Sequence, residues 1–270
     1  MKKKNSINNI FNIKGRNVIL TGSSGLLGNQ FSNILSEAGA NVILVDIVNK
    51  KNKSLEKTIQ KNYKTNPFSI EADISKKDEV VKLKNKIIKK YHNIDVLINN
   101  AAFTPRTHPK RSSPLEIYPL DLWENTLATN LTGTFLCCQE FGKIMAKQRK
   151  GSIINISSIY GMVGTDPRIY GKSKINAPPS YAATKGGLIN LTRYLAAYWH
   201  SKNVRVNTLS LGGIFNNQNP NFVRKYSQKT MLNRMAKKDE YNAAILFLAS
   251  DASSYMTGSN LVIDGGWTAW

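Results

Sequence analysis

Cysteine is scarce in this chain of 270 residues, which holds only the adjacent pair Cys137 and Cys138. Two neighbouring thiols with no cysteine elsewhere exclude a disulfide framework and a cysteine-ligated zinc site, and they suit a reducing compartment. We therefore expect a cytoplasmic protein that binds no metal.

Long apolar runs are also lacking. No stretch approaches the roughly 20 consecutive apolar residues that span a bilayer, so we expect no membrane-embedded segment and no membrane partner. The lysines at positions 2–4 are not followed by an apolar segment, which argues against a secretory signal. A hydrophobic content of 41% with 20% charged residues still predicts a folded chain.

Acidic residues are few, since 17 Asp and Glu face 38 Lys and Arg, which gives a net charge of +21. The lysines are scattered, few aromatic residues lie among them, and no helix-turn-helix, zinc-finger or RNA-binding signature is present. In residues 80–91 the apolar side chains form one helical stripe and leave the lysines on the outer face. We interpret the charge as a solvated surface and predict no nucleic-acid partner; attraction for an anionic ligand is the alternative.

Strand-like and helical segments alternate along the chain. The short, apolar, β-branched runs are residues 17–20, 41–45, 96–98, 152–156, 204–206 and 261–263. The helical patterns are residues 28–38, 80–91, 122–147, 181–200 and 239–249. This alternation predicts an α/β fold of the doubly wound, Rossmann-like type, a parallel sheet with helices on both faces. We expect one domain over residues 13–270, preceded by a polar tail at 1–12.

A glycine-rich turn follows the first strand and opens the first helix. Its residues predicted to face a cofactor are Thr21, Gly22, Ser24, Gly25, Leu26, Leu27 and Gly28. Glycines in this position allow a tight turn and close approach to a pyrophosphate, which the helix N-terminus favours. Asp46 ends the second strand, where a carboxylate accepts hydrogen bonds from ribose hydroxyls and repels a 2′-phosphate. The pair predicts NAD rather than NADP, although Lys50, Lys51 and Lys53 follow closely and weaken that preference.

A tyrosine and a lysine four residues apart, Tyr181 and Lys185, are neighbours on one face of a predicted helix. Transfer of a hydride to or from a carbon bearing oxygen also requires a proton to move on that oxygen. A free tyrosine has a pKa of about 10, too high for a base near neutrality, and a nearby ammonium lowers the pKa of such a phenol. Ser158, at the carboxyl end of the fifth predicted strand, is placed to hold the substrate oxygen.

The ordered set of motifs resembles the short-chain dehydrogenase/reductase family, from about Gly15 to the C-terminus. The motifs are the glycine-rich turn, Asp73-Ile74, Asn99-Asn100-Ala101-Ala102, Asn130 within 129–133, Ser157-Ser158, Tyr181 with Lys185, and Asp264-Gly265-Gly266. The resemblance implies that Asn130 holds a water that links Lys185 to solvent, and that Lys185 also binds the nicotinamide ribose. It further implies cofactor contacts by Asp73, Ile74, Asn99, Ala101, Tyr181, Gly212, Gly213 and Ile214.

The chain departs from the family pattern in four places. Its glycine spacing in the turn is more common among longer relatives, and Leu211 stands where many relatives carry proline. Ser158 and Tyr181 lie 23 residues apart, about twice the family interval, so residues 161–179 form an insertion expected to loop out near the substrate. The insertion contains a second pair with the same spacing, Tyr170 and Lys174. We reject it as catalytic because Gly171 and the prolines at 178 and 179 oppose a helix there.

The insertion and the C-terminal residues bear on the choice of substrate. Arg168, Lys172 and Lys174 oppose one acidic residue, Asp166, in the insertion, which indicates either a solvated loop or a lid for an anionic or polyhydroxylated substrate. The insertion and the C-terminal residues 264–270 also resemble family members of bacterial surface-polysaccharide and flagellin modification. We predict a small-molecule carbohydrate substrate. A 3-oxoacyl-thioester reductase and a non-catalytic nucleotide-binding protein are the alternatives.

Assembly is implied by the resemblance alone. Relatives form homodimers and homotetramers through the helices corresponding to residues 122–147 and 181–200 and through the C-terminal segment. Two exposed tryptophans near the C-terminus, Trp267 and Trp270, would be costly in a monomer, so we expect them to be buried at a subunit contact or over the active site.

Overall fold

The computed structural model describes residues 6–104, 108–173 and 176–270, with the side chains of residues 172 and 173 left out of the description. Its strands are β1 Asn17–Thr21, β2 Asn41–Asp46, β3 Phe68–Glu71, β4 Val96–Asn99, β5 Gly151–Ser158, β6 Val204–Leu211 and β7 Asn260–Ile263. They form one sheet in the order β3-β2-β1-β4-β5-β6-β7, and every neighbouring pair is parallel. The predicted doubly wound parallel sheet is confirmed.

The helices pack on both faces of this sheet. They are α1 Ile7–Ile10, α2 Leu26–Glu37, α3 Asn49–Asn62, α4 Lys77–Tyr91, α5 Leu120–Leu127, α6 Thr134–Gln148, α7 Pro179–Tyr198, α8 Pro220–Ser227 and α9 Asn242–Ala249. The single helix predicted over 122–147 is interrupted, because residues 128–133 form a π-helical turn between α5 and α6. Within the predicted polar tail, α1 is one turn long and contains no buried residue. Among the described helices, none is both long and apolar enough to cross a membrane.

Alternate residues of the central strands supply two separate apolar cores. Ile19, Ile43 and Leu97 pack on one face with α4, α6 and α7, whereas Val18 and Leu44 pack on the other with α2, α3 and α9. This two-residue period is what a sheet covered on both faces requires. Because all strands are parallel, their carboxyl ends lie at one edge of the sheet, and the loops that follow them meet there.

The lysines of α4 lie where the helical stripe predicts. Val80, Leu83 and Ile87 are buried, and the outward lysines are exposed, with one exception. Lys84 is partly buried, and its ammonium lies 2.7 Å from the Glu140 carboxylate on α6. This helix therefore uses one lysine as an inter-helix tie and leaves the others to solvent.

Candidate active site

A cavity of about 970 Å³ opens at the carboxyl edge of the sheet. Ligands of open α/β sheets bind at this edge, where the strand order reverses, here between β1 and β4. The predicted site residues that line it are Gly22, Ser24, Gly25, Leu26, Leu27, Gly28, Asp46, Asp73, Ile74, Ala101, Ser158, Tyr181, Lys185, Gly212, Gly213 and Ile214. Residues separated by up to 192 positions in the chain thus share one cleft.

The glycine-rich turn has no room for side chains at two of its glycines. Gly22 has a φ of +65°, and a Cβ there would lie 2.7 Å from the Cα of Ala101. A Cβ on Gly28 would lie 2.0 Å from the Gly22 carbonyl oxygen. Helix α2 begins directly after Gly25 without a side-chain cap, so its first N–H groups are left for a ligand. This narrow turn at a helix N-terminus fits the pyrophosphate of a dinucleotide.

Asp46 ends β2 beside this turn. One of its carboxylate oxygens accepts a hydrogen bond from the Ser24 N–H at 2.9 Å, and the other accepts from the Val48 N–H at 3.0 Å. The two bonds fix the carboxylate at the cavity wall, next to the first turn of α3, where Lys51 also lines the cavity. A fixed carboxylate in this place suits the two hydroxyls of an adenosine ribose.

Asp73 and Ile74 follow β3 on the same side of the cleft. Burial alone raises the pKa of Asp73, but hydrogen bonds from the Ser75 hydroxyl (2.7 Å) and N–H (3.0 Å) outweigh it and hold the pKa below its usual value. Lys76 lies 3.6 Å from the same carboxylate. Asp73 is therefore an anion at neutral pH whose oxygens are already used by its own turn.

Two predicted cofactor residues, Thr21 and Asn99, lie behind the cavity wall. The Thr21 hydroxyl accepts hydrogen bonds from the N–H groups of Asn100 and Ala101, both at 3.1 Å. Asn99 donates to the Asn155 side chain at 2.8 Å and is buried between β4 and β5. These side chains hold the strands together. Asn100, which our prediction did not include, does line the cavity, and its amide donates to the Thr21 and Gly22 carbonyls.

Ser158, Tyr181 and Lys185 line the other end of the cleft, which we call the reacting end. Ser158 is the last residue of β5, and its Oγ accepts a hydrogen bond from the Tyr160 N–H at 3.3 Å. Tyr181 lies in the first turn of α7 and Lys185 one turn later, with the Lys185 Nζ 5.6 Å from the centre of the Tyr181 ring. A phenol beside an ammonium and a serine hydroxyl can exchange a proton with a bound oxygen.

Lys185 is 4% exposed, and its Nζ donates to the Ile156 carbonyl at 2.7 Å. Burial lowers the pKa of Lys185 to about 8, since a charged ammonium is disfavoured away from water. The side chain therefore still carries its charge at neutral pH and loses it under mildly alkaline conditions.

Asn130 lies in the π-helical turn between α5 and α6 and is 1% exposed. Its side-chain oxygen accepts from the Phe103 N–H at 2.6 Å, and its amide donates to the Phe103 carbonyl at 3.3 Å. The side chain thus holds the loop after β4, whose Phe103 lines the cavity. Asn130 itself is not among the lining residues, so a role in proton transfer stays a prediction.

The loop after β6 lies close to the reacting end. A Cβ on Gly212 would meet the Asp264 backbone at 2.8 Å, and a Cβ on Gly213 would meet the Tyr226 ring at 2.6 Å. The Gly213 N–H donates to the Tyr226 hydroxyl, and its carbonyl accepts from the Ala236 N–H at 3.0 Å. Although Leu211 replaces the proline of many relatives, these bonds hold the loop in place.

The insertion, residues 161–179, lies beside the reacting end, but its Arg168 does not point a free positive charge into the cavity as a charged lid would. The Arg168 guanidinium is paired with the Asp166 carboxylate at 2.8 Å, is 80% exposed in its side chain and does not line the cavity. Lys229 also pairs with Asp166 at 2.8 Å. An anion-binding role for Arg168 is therefore not supported, and Lys174 and the Lys172 side chain lie outside the described residues.

Tyr170, in the rejected second pair, lies in a 3₁₀ segment, Pro167–Ser173, which is broken at Gly171 with a φ of +57°. It is thus not on an α-helix, and the rejection agrees with the structure. Tyr170 nonetheless lines the cavity, together with Tyr160, Phe222 and Tyr226. Our prediction missed these aromatic residues as site residues. Of these residues, only Tyr160 could have been predicted from the sequence, because it lies two residues after Ser158.

Trp267 was expected to be buried at a subunit contact or over the active site, and the structure buries it within the chain itself, against a residue of the cavity wall. It is 8% exposed and stacks on Tyr226 with ring centres 4.4 Å apart, in an apolar cluster with Ile159, Ile169 and Met235. The cluster forms because the insertion, α8 and the C-terminal segment all reach this end of the sheet. Trp270 is 74% exposed, so its expected burial is not seen within the single chain.

Comparison with known proteins gives a consistent result. A family model described as Enoyl-(Acyl carrier protein) reductase matches residues 23–268. A 3-oxoacyl-(acyl-carrier-protein) reductase of Thermotoga maritima is 32% identical over 259 residues, which cover 94% of this chain and 98% of that protein. An uncharacterized short-chain type dehydrogenase/reductase of Sinorhizobium fredii is 31% identical over 260 residues, covering 94% of this chain, which spans only 44% of that longer protein.

Among solved structures, a gluconate 5-dehydrogenase of Burkholderia cenocepacia J2315, in complex with NADP and tartrate, is similar to this fold. The TM-score is 0.86 at 26% identity, and the match covers 97% of this chain and 98% of the other.

Proposed function

Since this chain belongs to the short-chain dehydrogenase/reductase family of NAD(P)-dependent oxidoreductases, we propose that it transfers a hydride between NAD and a secondary alcohol or ketone in a carbohydrate or related polyhydroxylated compound. The observation that carries the proposal is the meeting of Ser158, Tyr181 and Lys185 in one cavity with the glycine-rich turn and Asp46. A dinucleotide site and a proton-transfer site in one cleft are what such a reaction needs.

The glycine-rich turn, Asp46 and the loop 212–214 are the residues that would hold the dinucleotide. When bound, it supplies or accepts the hydride. The protein handles the accompanying proton: Tyr181 donates it to, or removes it from, the substrate oxygen. Ser158 holds that oxygen by a hydrogen bond, and the Lys185 ammonium stabilises the phenolate form of Tyr181. Asn130, by family resemblance, completes the route by which the proton reaches solvent.

We propose NAD as the cofactor because the Asp46 carboxylate is fixed at the cavity wall by two N–H groups. A carboxylate held in this position cannot turn away from a 2′-phosphate, and the two anions repel each other. Lys51 offsets part of this repulsion. The gluconate 5-dehydrogenase relative was crystallised with NADP, and the assay below therefore compares both cofactors.

We propose a polyhydroxylated substrate because aromatic residues, three of them tyrosines, line the reacting end. Ring faces suit the C–H face of a sugar, and hydroxyls suit its oxygen atoms. The gluconate 5-dehydrogenase relative supports this class. The second candidate, reduction of a 3-oxoacyl thioester, is favoured by the Thermotoga maritima relative, and Asp46 opposes the NADPH that such reductases usually prefer.

The family resemblance also supports a homodimer or homotetramer built from chains that fold as one unit over residues 13–270. Tyr194 and Tyr198 on α7 are 64% and 66% exposed and stack on each other, as expected of a surface that a second copy covers. Sedimentation should then give a species at least twice the 30.1 kDa of the chain. A 30.1 kDa species alone would contradict this.

The test is an absorbance screen of the purified chain with NAD(H) and NADP(H) over sugars, sugar acids, polyols and 3-oxoacyl thioesters. Replacing Tyr181 by Phe removes the proton donor and keeps the ring, so we expect kcat to fall by about 10²- to 10⁴-fold. The fully exposed Tyr255→Phe variant is the matched control and should keep wild-type turnover. Equal turnover by wild type and Tyr181→Phe would overturn the proposal.

A further inference from the structure

A buried pair of polar side chains lies directly behind the glycine-rich turn. Gly22 and Ser24 line the cavity, but Ser23 between them does not, and its side chain is fully buried. The Ser23 hydroxyl instead contacts the side-chain oxygen of Asn52, near the start of α3, at 2.6 Å. Asn52 is fully buried as well, although Lys51 beside it lines the cavity. Neither member of the pair lines the cavity, so any influence on a ligand comes through the position of the turn.

The hydrogen-bond partners of Asn52 determine which way its amide faces. Its Nδ2 lies 2.8 Å from the Leu44 carbonyl on β2 and 3.4 Å from the Ile70 carbonyl on β3. Because both carbonyls only accept, this end of the amide carries the N–H donors, and its oxygen is left to accept from Ser23. One side chain of α3 thus holds β2, β3 and the turn after β1. A buried polar group whose donors and acceptor are all bound makes its surroundings rigid.

The Ser23 hydroxyl has one proton and two acceptors within reach. The Asn52 oxygen lies at 2.6 Å and the Val45 carbonyl at 3.3 Å, and the shorter distance is that of a strong O–H···O bond. The proton therefore goes to Asn52. The Ser23 N–H already donates to the same Val45 carbonyl at 3.2 Å. Loss of the Asn52 oxygen would leave the hydroxyl only a long bond to a carbonyl that another donor already uses.

The turn passes this restraint on to Asp46. The Ser24 N–H donates to the Asp46 carboxylate at 2.9 Å. This N–H belongs to the planar peptide group that joins Ser23 to Ser24, so its direction depends on how Ser23 is held. Through Ser23, Asn52 therefore restrains both the narrow turn and the carboxylate that would hold the ribose.

We propose that Asn52 is a positioning residue of the dinucleotide site, which acts through Ser23 and touches no ligand itself. It sets the affinity for the dinucleotide and, by keeping Asp46 in place, the preference for NAD over NADP. It has no part in proton transfer at the reacting end, so turnover with saturating cofactor does not depend on it. The inference rests on the proposed function, because it assumes that the glycine-rich turn and Asp46 hold a dinucleotide.

The test measures binding of NAD⁺ and NADP⁺ to the purified chain by calorimetric titration. Asn52→Ala removes every hydrogen bond of this side chain, whereas Ser23→Ala removes one hydroxyl and leaves the hold of Asn52 on β2 and β3. We expect the Kd for NAD⁺ to rise by about 10-fold in each variant, because a buried polar group loses its partner. The ratio of the Kd for NADP⁺ to that for NAD⁺ should fall by about 2- to 10-fold, the range of one hydrogen bond. The kcat at saturating NAD⁺, on a substrate from the absorbance screen, should stay within about twofold.

Ser152→Ala is the matched control. Ser152 lies near the start of β5, at the amino edge of the sheet, and its buried hydroxyl donates to the Leu248 carbonyl at 2.8 Å. Its loss should lower the free energy of unfolding as Ser23→Ala does, which denaturant unfolding measures, and should leave both Kd values at those of the wild type. A purely structural role of Ser23 and Asn52 would give all three variants the same binding.

The double variant Ser23→Ala/Asn52→Ala tests whether the two residues act as one unit. Both changes break the same hydrogen bond. The Kd for NAD⁺ of the double variant should therefore lie within about threefold of that of Asn52→Ala, instead of the rise of about 100-fold that independent changes would give.

An unchanged Kd for NAD⁺ in both single variants, an unchanged ratio of the two Kd values, or an equal loss of affinity in Ser152→Ala overturns the inference. Each of these results leaves the proposed function intact, because the wild type still binds the dinucleotide. A wild type that binds neither NAD⁺ nor NADP⁺ overturns the proposed function, and the inference with it.

Discussion

The two ends of the cleft differ in what lines them: backbone atoms at the dinucleotide end and side chains at the reacting end, where the substrate binds. Most of the dinucleotide end comes from one continuous segment, from β1 through α2 to β2, with Asp73 and the loop 212–214 added from elsewhere in the chain. Its surface is mostly backbone: glycines without room for a Cβ, helix N–H groups and few carboxylates. The substrate end uses side chains from separate segments, among them Tyr160 after β5, Tyr170 in the insertion and Tyr226 on α8, with Trp267 packed behind Tyr226. Backbone recognition binds a constant ligand and tolerates little change, whereas a wall of side chains can be exchanged one residue at a time.

Lys185 joins the two ends, and its substitution should have the largest effect of the three changes considered next. Lys185→Met removes the ammonium beside Tyr181, and we expect kcat/KM to fall by about 10²- to 10⁴-fold, the range of a lost acid–base group. The variant loses the contact expected with the nicotinamide ribose but keeps the glycine-rich turn and Asp46, so its affinity for NAD⁺ should fall far less than its turnover, which calorimetric titration would show. If nucleotide affinity were lost to the same extent as turnover, the two ends would not be separable.

The same variant tests the buried charge through stability. The pKa of Lys185 is about 8 in the folded chain and near 10.5 when unfolded, so the unfolded chain binds more protons between these pH values. Stability therefore rises with pH across this window, by up to about 3 kcal/mol from this group. Denaturant unfolding at pH 8 and pH 10.5 should show this rise in wild type and a smaller one in Lys185→Met. Parallel changes in the two proteins would argue against a depressed pKa.

At the dinucleotide end, Gly28→Ala places a Cβ against the Gly22 carbonyl, where no flexible side chain can yield. We expect a loss of about 1–3 kcal/mol in the free energy of unfolding and at least a tenfold rise in the Kd for NAD⁺. The control is Gly164→Ala, since a Cβ on Gly164 meets nothing within 4 Å. Similar effects at both glycines would mean that the turn is not specially constrained.

The smallest expected effect is on cofactor choice. Asp46→Asn keeps the shape of the side chain and removes the charge that repels a 2′-phosphate. We expect the ratio of kcat/KM for NAD⁺ to that for NADP⁺ to fall by about 10-fold, consistent with roughly 1.4 kcal/mol of electrostatic repulsion. Asp121→Asn, on the exposed face of α5, serves as the control. An unchanged ratio would assign cofactor choice to other residues, with Lys51 the first to examine.

The same contrast explains what sequence analysis could predict. Most of the dinucleotide end lies in one continuous segment. The glycine spacing, the strand before it and Asp46 after it were therefore enough to predict the dinucleotide site. Helix α3 was not predicted, because only Asn52, Leu55 and Ile59 are buried among its exposed lysines and its apolar stripe is weak. The break between α5 and α6 was not predicted, because the π-helical turn preserves the helical pattern of apolar residues on both sides of Asn130.

The substrate end could not be derived from local patterns. Tyr170 and Tyr226 are 56 residues apart, and their approach depends on how the insertion packs against α8. Arg168 was a natural candidate for anion binding from charge alone, but its pairing with Asp166 is a property of the folded loop. Packing also decides what covers Trp267, since the ring lies against the chain's own Tyr226, a contact that composition alone could not predict.

The contact between Trp267 and Tyr226 gives the molecule a built-in optical probe. Tyr226 accepts a hydrogen bond from Gly213, in the loop beside the reacting end, and its ring lies 4.4 Å from the indole. Movement of that loop changes the surroundings of a buried indole and hence its emission. Ligands that enter the cleft can thus be followed by intrinsic fluorescence, without a label and before any turnover has taken place.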